Sequence, residues 1–379
     1  MRRAIGLAMR GRWGTGGSVE PNPMVGCVLV REGRLIGEGF HAAVGGRHAE
    51  PAALADCVER GNDSRGATAY VTLEPCCHVN KRTPPCVPAL VEAGIKRVVV
   101  GCLDPNPAVN GGGVRQLREA GVEVEVGVCE REAKQLLAPF RVRMLHGRPF
   151  VTVKWAQDAE GRIAGSGGVR RQISGPESMG VVHRLRGRCG AVVAGGETVR
   201  RDDPMLTARG GVEGRKPLRV VITGGEGLDL PAGAKLFHSP GEGEVLVYTS
   251  RDVMSRVKVG LGEGVRLASA GERRVDLGEV MADLYKRGVW EVLVESGGRL
   301  AGALLESGLA DRLWVFASPR SLGEDGPKAV EVDVVKGAEV RLGDDTLTES
   351  WNPKSPVFLG AEASADVVEI RGELPKKGR

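Results

Sequence analysis

Short apolar runs bounded by turn-forming residues recur along the first half of the chain and predict buried strands that alternate with helices. The first predicted element is an amphipathic helix whose inner face carries Ala4, Ile5, Leu7 and Ala8. The predicted strands are 25–30, 35–40, 69–73, 97–101 and 122–126, and the later predicted helices are 48–59, 88–93 and 114–120. Such an alternation is typical of an α/β layered domain.

A polar, turn-forming break at 146–149 ends this pattern, and a second alternation follows it. Its predicted strands are 150–154, 191–194, 219–223, 245–248, 291–294 and 313–317, and its predicted helices are 176–186, 277–287 and 300–307. Glycine pairs follow three of these strands, at 195–196, 224–225 and 297–298, where open α/β sheets bind ligands. We therefore predict two α/β domains, 1–146 and 147–379. The polar residues from Lys336 onward are given no assigned element.

Composition and charge indicate a soluble globular protein rather than a membrane or disulfide-rich protein. Hydrophobic residues make up 41% of the chain and charged residues 27%, which is typical of a soluble globular protein. The net charge of +5 is spread along the sequence, which fits an anionic small molecule or a weak preference for nucleic acid and does not resemble the basic stripe of a dedicated DNA-binding protein. No apolar run is long enough to span a membrane. Eight cysteines are too few for a disulfide framework, so we expect a cytoplasmic protein in which clustered cysteines bind metal.

One constellation in the first domain predicts a zinc-dependent deaminase. His48 and Glu50 open a predicted helix, and Cys76 and Cys86 follow a predicted strand. One imidazole and two thiolates hold Zn²⁺ and leave its fourth position to a water whose pKa the metal lowers. Glu50 lies two residues after the histidine, so we expect it to move protons between this water and the leaving amine.

The spacing between the two predicted thiolate ligands differs from the common Cys-x-x-Cys pattern. The residue three positions after Cys76 is Val79, so Cys86 must supply the second thiolate across a longer loop. Cys77 could replace Cys76, although Cys76 directly follows the proline and keeps the motif's phase. A purely structural zinc site would need four protein ligands and no acid, and Glu50 argues against it.

Several longer motifs extend over nearly the whole chain: PNPMVGCVLV, GEGFH, HAE, ATAYVTLEPC, RTPPC, DPNP, VHRLR, ETVRRDDPMLTAR and VESGGRLAGALL. With these motifs the chain resembles the bifunctional deaminase/reductases of riboflavin biosynthesis. The resemblance implies a three-layer cytidine-deaminase-like domain followed by a dihydrofolate-reductase-like α/β domain. It implies hydrolytic deamination of a diaminopyrimidinone ribosyl phosphate, then NADPH-dependent reduction of the ribosyl group to ribityl, in a homodimer.

The same resemblance assigns binding residues by motif position. In the deaminase, the implied substrate contacts are Asn22, His41 and Arg82. In the reductase, the implied substrate residues are Lys154, Arg186, Leu206, Arg209 and Glu295. The implied NADPH-binding residues are Ala156, Thr198, Asp202, Gly297, Gly298, Arg299, Leu300, Ala301, Gly302 and Ala303. Arginine forks suit phosphate, and glycines between a strand and a helix let backbone N–H groups approach a pyrophosphate.

The reductase half departs from the family pattern at a few positions. Asp158 opens a segment that usually begins with Ser, Arg170 replaces a Ser, and Gln172 replaces a cofactor-lining Trp. These exchanges motivate an alternative in which an active deaminase is joined to an impaired or non-catalytic reductase-like domain. A tRNA-editing deaminase is an alternative of another class, and the long Cys76–Cys86 spacing and the reductase-like half argue against it.

Overall fold

The computed structural model describes residues 1–12, 19–78, 83–168, 171–209, 216–224, 228–239, 241–257, 262, 264–360 and 362–372. These residues form two compact units. The first contains Met1–His146 and the tail that begins at Glu362, and the second contains Gly147–Ala361. Among the described residues, every helix is too short or too polar to cross a membrane.

The first unit is a five-stranded sheet with helices on both faces. Its elements in chain order are α1 (Arg2–Met9), β1 (Gly26–Arg31), β2 (Arg34–Phe40), α2 (Ala49–Glu59), β3 (Thr68–Leu73), α3 (Cys86–Glu92), β4 (Arg97–Cys102), α4 (Gly112–Glu119), β5 (Glu123–Val126), α5 (Glu130–Leu136) and α6 (Ala138–His146). The strand order is β2-β1-β3-β4-β5; β1 runs antiparallel to both neighbours, and β3, β4 and β5 are parallel.

Alternate residues of β1 face different helix layers. Val28 packs with Ala4 and Leu7 of α1, whereas Cys27 and Leu29 face the core that contains residues of α2, α3 and α4. The predicted inner face of α1 is confirmed, since Ala4, Ile5, Leu7 and Ala8 are all buried. The predicted three-layer arrangement of this domain is also confirmed, because a sheet with period-two alternation buries one set of side chains on each face.

Two glycines of β2 bring α2 close to the sheet. A Cβ on Gly37 would lie 2.5 Å from the Ala53 carbonyl oxygen, and one on Gly39 would lie 2.4 Å from the Ala53 nitrogen. Only glycine permits this approach, because real Cβ atoms do not come within 3.0 Å of backbone. The glycines therefore fix α2, which carries the predicted histidine ligand and proton carrier at its start.

The C-terminal tail packs on the first unit. It contains a short helix, α12 (Ala365–Ile370), and Ala365 is buried with Ile5, Ala8 and Leu136. The predicted range 147–379 for the second domain therefore differs from the second unit at this end. The sequence analysis did not predict this helix, because its few apolar residues form no clear periodic pattern. Their role in packing is evident only from the contacts with α1 and α5.

The second unit is built around a nine-stranded sheet. Its elements are β6 (Phe150–Gln157), α7 (Pro176–Arg188), β7 (Ala191–Gly195), α8 (Gly196–Asp202), β8 (Leu218–Ile222), β9 (Val245–Thr249), α9 (Arg251–Arg256), β10 (Val265–Ser269), α10 (Leu277–Lys286), β11 (Glu291–Glu295), α11 (Arg299–Glu306), β12 (Arg312–Ala317), β13 (Val335–Leu342) and β14 (Asp345–Trp351). The strand order is β10-β9-β8-β7-β11-β6-β12-β14-β13; β14 pairs antiparallel with both β12 and β13, and the other neighbouring strands pair parallel.

The predicted α/β class of the second half is confirmed, and the structure shows that its sheet is predominantly parallel. The hairpin β13–β14 extends the sheet in the region that the sequence left unassigned. Alternate residues in the second half of β13 are exposed, and three charged residues interrupt its apolar positions: Lys336, Glu339 and Arg341. Edge strands are commonly charged on the solvent side, which weakens the apolar pattern that reveals central strands.

Candidate active sites

Three residues from separate segments of the first unit converge on one point. His48 is the N-cap of α2, Cys76 follows β3, and Cys86 is the first residue of α3. The His48 Nδ1 atom lies 3.5 Å from Cys76 Sγ and 3.3 Å from Cys86 Sγ, and the two sulfurs are 3.3 Å apart. Ligand atoms this close can share one tetrahedral ion with bonds of about 2.0 to 2.3 Å. The residues therefore fit a zinc ion with three protein ligands.

Neighbouring groups hold these ligands in place. The Thr83 hydroxyl lies 3.0 Å from His48 Nε2, which fixes the ring with Nδ1 toward the sulfurs. The backbone N–H of Cys86 donates to the Cys76 carbonyl at 3.0 Å and lies 3.4 Å from Cys76 Sγ. Cys86 is the first residue of α3, which begins two residues before the predicted helix, whereas Cys76 lies in the segment before it.

The Glu50 carboxylate is directed at the same point. It is buried in the first turn of α2 and accepts a hydrogen bond from the Cys86 thiol. Burial, and to a lesser extent the Cys76 sulfur, raise the pKa of Glu50 to about 7. A carboxyl group with this pKa can both take up and release a proton near neutral pH.

Two of the three predicted substrate contacts lie beside the cluster. The His41 ring is 5.3 Å from the His48 ring, centroid to centroid. Its Nδ1 lies 3.0 Å from the Arg47 carbonyl, which can only accept, so Nδ1 carries the proton and Nε2 accepts from the Asn22 amide at 3.0 Å. Burial lowers the pKa of His41, although the bond to Arg47 opposes this. The third contact, Arg82, lies outside the described residues.

In the second unit, three of the predicted substrate residues meet near the carboxyl end of β11: Lys154, Arg186 and Glu295. Lys154 and Glu295 are paired in register on the adjacent parallel strands β6 and β11. Arg186 of α7 binds Glu295 through two parallel hydrogen bonds of 2.5 and 2.8 Å. Burial alone would raise the pKa of Glu295, but Arg186 outweighs it and lowers this pKa to about 2. Burial lowers the pKa of Lys154, opposed by Glu295.

The segment after α8 contributes backbone to this site. Thr207 is buried, and its carbonyl accepts from Arg186 at 3.0 Å. Leu206, a predicted substrate residue, instead buries its side chain in the core with a φ of 55°. Arg209 is exposed and near enough to His183 to lower the pKa of that imidazole, after burial and Arg186.

His183 is a residue of this site that the sequence analysis did not single out. It lies three positions before Arg186, on the same face of α7, and it also hydrogen-bonds the Thr207 backbone. Among the described residues, its Nδ1 atom has no partner and is buried. The motif VHRLR could have identified His183, because residues three apart on a helix lie on the same face and Arg186 was already a predicted substrate residue.

The predicted cofactor residues lie at the same end of the sheet. A Cβ on Gly297 would come 3.1 Å from Ile163, whereas one on Gly298 would meet no atom within 4 Å. Helix α11 begins after Gly298, and no side chain of Gly298 caps its first N–H groups. Such a helix start suits the pyrophosphate of a dinucleotide. The residues from Arg299 to Ala303 form the first turns of this helix.

The remaining predicted cofactor residues belong to neighbouring elements. Thr198 and Asp202 are on α8, and Ala156 is near the end of β6. A Cβ on Gly195, which precedes α8, would lie 3.8 Å from Leu300 of α11, so the starts of the two helices are close together. The residues therefore fit an elongated dinucleotide along the carboxyl edge of the sheet.

The departures from the family pattern have different structural consequences. The buried Asp158 carboxylate accepts backbone N–H groups of Glu160, Arg162 and Leu322 at 3.0, 2.7 and 3.0 Å, so it fixes this turn as a structural residue. Gln172 is exposed and donates to the Ser174 carbonyl at 2.9 Å. Arg170 lies outside the described residues.

Two family models match the chain. Residues 149–348 match the RibD C-terminal domain, and residues 2–102 match the cytidine and deoxycytidylate deaminase zinc-binding region. The chain is 39% identical over 355 residues to riboflavin biosynthesis protein RibD of Aquifex aeolicus, covering 92% of this chain and 96% of that protein. It is 39% identical over 339 residues to RibD of Escherichia coli K12, covering 86% of this chain and 88% of that protein.

Two solved structures are similar over most of their length. Acinetobacter baumannii RibD aligns with a TM-score of 0.74 at 35% identity, covering 92% of this chain and 97% of that chain. A diaminohydroxyphosphoribosylaminopyrimidine deaminase/5-amino-6-(5-phosphoribosylamino)uracil reductase from Thermotoga maritima aligns with a TM-score of 0.75 at 33% identity, covering 93% and 97%. The similarity therefore includes both halves of the molecule.

Proposed function

The chain belongs to the RibD family of riboflavin biosynthesis proteins, and from this premise we propose which of its residues carry out the two reactions. It is a bifunctional enzyme with a zinc-dependent deaminase domain and an NADPH-dependent reductase domain. It acts on a small-molecule substrate of riboflavin biosynthesis.

In the deaminase, we assign zinc binding to His48, Cys76 and Cys86. Zinc held there supplies a water of lowered pKa. Glu50 would take one proton from this water and deliver it to the departing amino nitrogen, which leaves as ammonia. The second water proton would pass to the adjacent ring nitrogen as the new carbon–oxygen bond becomes a carbonyl. The observation that carries this assignment is the convergence of three ligand atoms, all within 4.8 Å of one another, with a buried carboxyl group directed at them.

Asn22 and His41 hold the pyrimidine in place beside this centre. The protonated Nδ1 of His41 is occupied by Arg47, so the ring is oriented and Nε2 is left as an acceptor. When substrate displaces the Asn22 amide from Nε2, both groups become available to polar atoms of the base. Arg82 is assigned to the substrate as the third contact.

In the reductase, bound NADPH would supply a hydride to the ribosyl C1 carbon. The bond between this carbon and the ring oxygen would break, and that oxygen would take a proton to become a hydroxyl of the ribityl chain. Lys154 and Glu295 lie side by side on adjacent strands and orient the ribosyl hydroxyls, while Arg186 and Arg209 provide guanidinium groups for the phosphate. Leu206 contributes backbone rather than side chain to the substrate site, since its side chain is buried. Ala156, Thr198, Asp202 and the 297–303 segment are assigned to the cofactor.

The decisive experiment separates the two half-reactions. Purified protein is incubated with the diaminopyrimidinone ribosyl phosphate, with and without NADPH, and ammonia release and NADPH oxidation are followed independently. We expect both signals, with ammonia release independent of NADPH. Ammonia without NADPH oxidation would favour the second candidate, an impaired reductase, for which the exchange to Gln172 is the motivating observation. Absence of both signals would refute the assignment of residues.

The cellular compartment and the oligomeric state of the protein are also proposals. We expect a cytoplasmic homodimer, because the family resemblance implies dimerisation and eight cysteines without a disulfide are consistent with a reducing compartment. Light scattering coupled to size-exclusion chromatography would measure a mass of twice 40.0 kDa if the dimer forms. Nucleic acid is not expected to compete for the deaminase site.

A further inference from the structure

Glu74 is a buried carboxylate two residues before Cys76, and no reaction step uses it. It is 2% exposed. Its oxygens accept backbone N–H groups of Asp104, Gly111 and Val114 at 3.1, 2.9 and 3.1 Å. Charge-assisted bonds of this kind are about twice as strong as those between neutral groups. Glu74 therefore ties the end of β3 to the loop after β4 and to the start of α4.

These contacts make Glu74 the cap of a helix to which it does not belong. Gly111 is the N-cap of α4 and has no side chain that could cap it. The carboxylate of Glu74 instead binds the N–H of this residue and that of Val114, the third residue of the helix. A carboxylate at a helix start is favourable both as an acceptor for free N–H groups and as a charge near the positive end of the helix dipole.

The glycines that open α4 let it approach the metal-binding segment. A Cβ on Gly113 would lie 2.0 Å from the Pro75 carbonyl oxygen, a distance that requires displacement of backbone. A Cβ on Gly112 would lie 3.0 Å from Cys77 Sγ, a side-chain atom that can move. The start of α4 therefore abuts the Glu74–Cys77 segment from one side, and the N–H of Cys86 holds Cys76 from the other.

We propose that Glu74 and the glycines of α4 position the Cys76 thiolate for the metal. The inference rests on the proposed zinc site. Pro75 joins Glu74 to Cys76 with a fixed φ, so a shift of the Pro75 backbone moves the sulfur directly. Metal–ligand distances tolerate changes of only about 0.2 Å. Loss of the Glu74 contacts thus weakens metal retention before it affects the rest of the fold.

The test compares metal retention in the full-length protein and four variants. Glu74→Gln replaces an acceptor with a donor that faces the same N–H groups, and Gly113→Ala introduces the backbone clash. Gly112→Ala is the mild variant, since only the Cys77 side chain must move. Glu119→Gln on the exposed face of α4, where it pairs with Arg115 at 4.0 Å, is the matched control. Zinc transfer to a chelating dye gives the rate, and the thiolate-to-cobalt absorption band of Co²⁺-loaded protein reports the ligand geometry.

Glu74→Gln and Gly113→Ala are expected to lose zinc about ten- to a hundredfold faster than the parent, with a weakened or shifted cobalt band. Gly112→Ala should show a smaller change in the same direction, and Glu119→Gln none. Folded variants with the parent's rate and spectrum would overturn the inference. If Glu74→Gln and Gly113→Ala fail to fold, an unchanged Gly112→Ala would overturn it alone. A parent protein that retains neither metal would refute the zinc site itself, which distinguishes that failure from this one.

Discussion

Arg186 and Glu295 face each other through two parallel hydrogen bonds, Nε to Oε1 at 2.5 Å and Nη2 to Oε2 at 2.8 Å. Each side chain is 13% exposed, so the pair is largely removed from water. A fork-to-carboxylate pair in this environment holds both groups in one geometry. The reductase site therefore presents a fixed guanidinium beside Lys154 rather than three mobile charges.

The first prediction concerns the acid stability of the second unit. The pKa of Glu295 is about 2 in the folded protein against an ordinary value of 4.5. A depressed pKa contributes stability that is complete above about pH 4.5 and is lost as the pH falls toward 2. The contribution is on the order of a few kcal/mol. Urea unfolding followed by tryptophan fluorescence reports this unit, because four of the five tryptophans belong to it.

Glu295→Gln removes this titration but leaves Arg186 buried without its counter-charge. We expect the variant to be less stable at neutral pH and to lose less stability than the parent between pH 4.5 and 2. Equal losses over this interval would show that another group governs the acid transition.

The second prediction tests the proton carrier. Glu50→Gln keeps the shape of the side chain but cannot exchange a proton, so ammonia release is expected to fall about a hundredfold or more with zinc content unchanged. Glu59→Gln, at the exposed end of the same helix, is the control. Metal analysis and an ammonia assay on the same samples decide the result, and near-parent turnover in the Glu50→Gln variant would exclude the role.

The third prediction concerns Thr83, whose hydroxyl contacts the ring nitrogen of His48 that faces away from the sulfurs. Thr83→Val removes the hydroxyl that lies 3.0 Å from His48 Nε2 and leaves the ring free to turn. Zinc affinity, measured by competition with a calibrated chelator, is expected to fall about tenfold. Thr68→Val is the control, because Thr68 is the first residue of β3 and the metal ligand Cys76 follows the other end of that strand. This variant should not change the zinc affinity. A parent-like affinity in the Thr83→Val variant would indicate that helix α2 alone orients the ring.

The fourth prediction addresses the exchanged cofactor residue. Gln172 is exposed and held only by the Ser174 carbonyl among its described side-chain contacts. Gln172→Trp is expected to tighten NADPH binding about two- to tenfold, since an aromatic contact contributes about 0.5 to 1.5 kcal/mol. Titration calorimetry measures the affinity, and Gln172→Leu separates aromatic stacking from simple burial. No gain in the Gln172→Trp variant would mean that this position does not limit cofactor binding.

The local sequence pattern was sufficient to predict many of the secondary-structure elements and the types of metal-binding residue. Apolar periodicity was sufficient for the buried face of α1 and for the central strands of both sheets, because each of these elements buries a face that its own residues define. The metal-binding residue types were also evident, since imidazole, thiolate and carboxylate chemistry restricts the choice of side chain. Family resemblance added the reductase residues by motif.

Contacts between distant segments could be identified only in the folded molecule. The pairing of Arg186 with Glu295 spans more than a hundred positions, and the capping of α4 by Glu74 joins two segments that no local periodicity connects. The edge hairpin β13–β14 and the tail helix α12 likewise depend on partners far along the chain. A charged or glycine residue has many possible partners in a sequence, and packing selects one of them, so these contacts follow from the folded molecule and not from its local pattern.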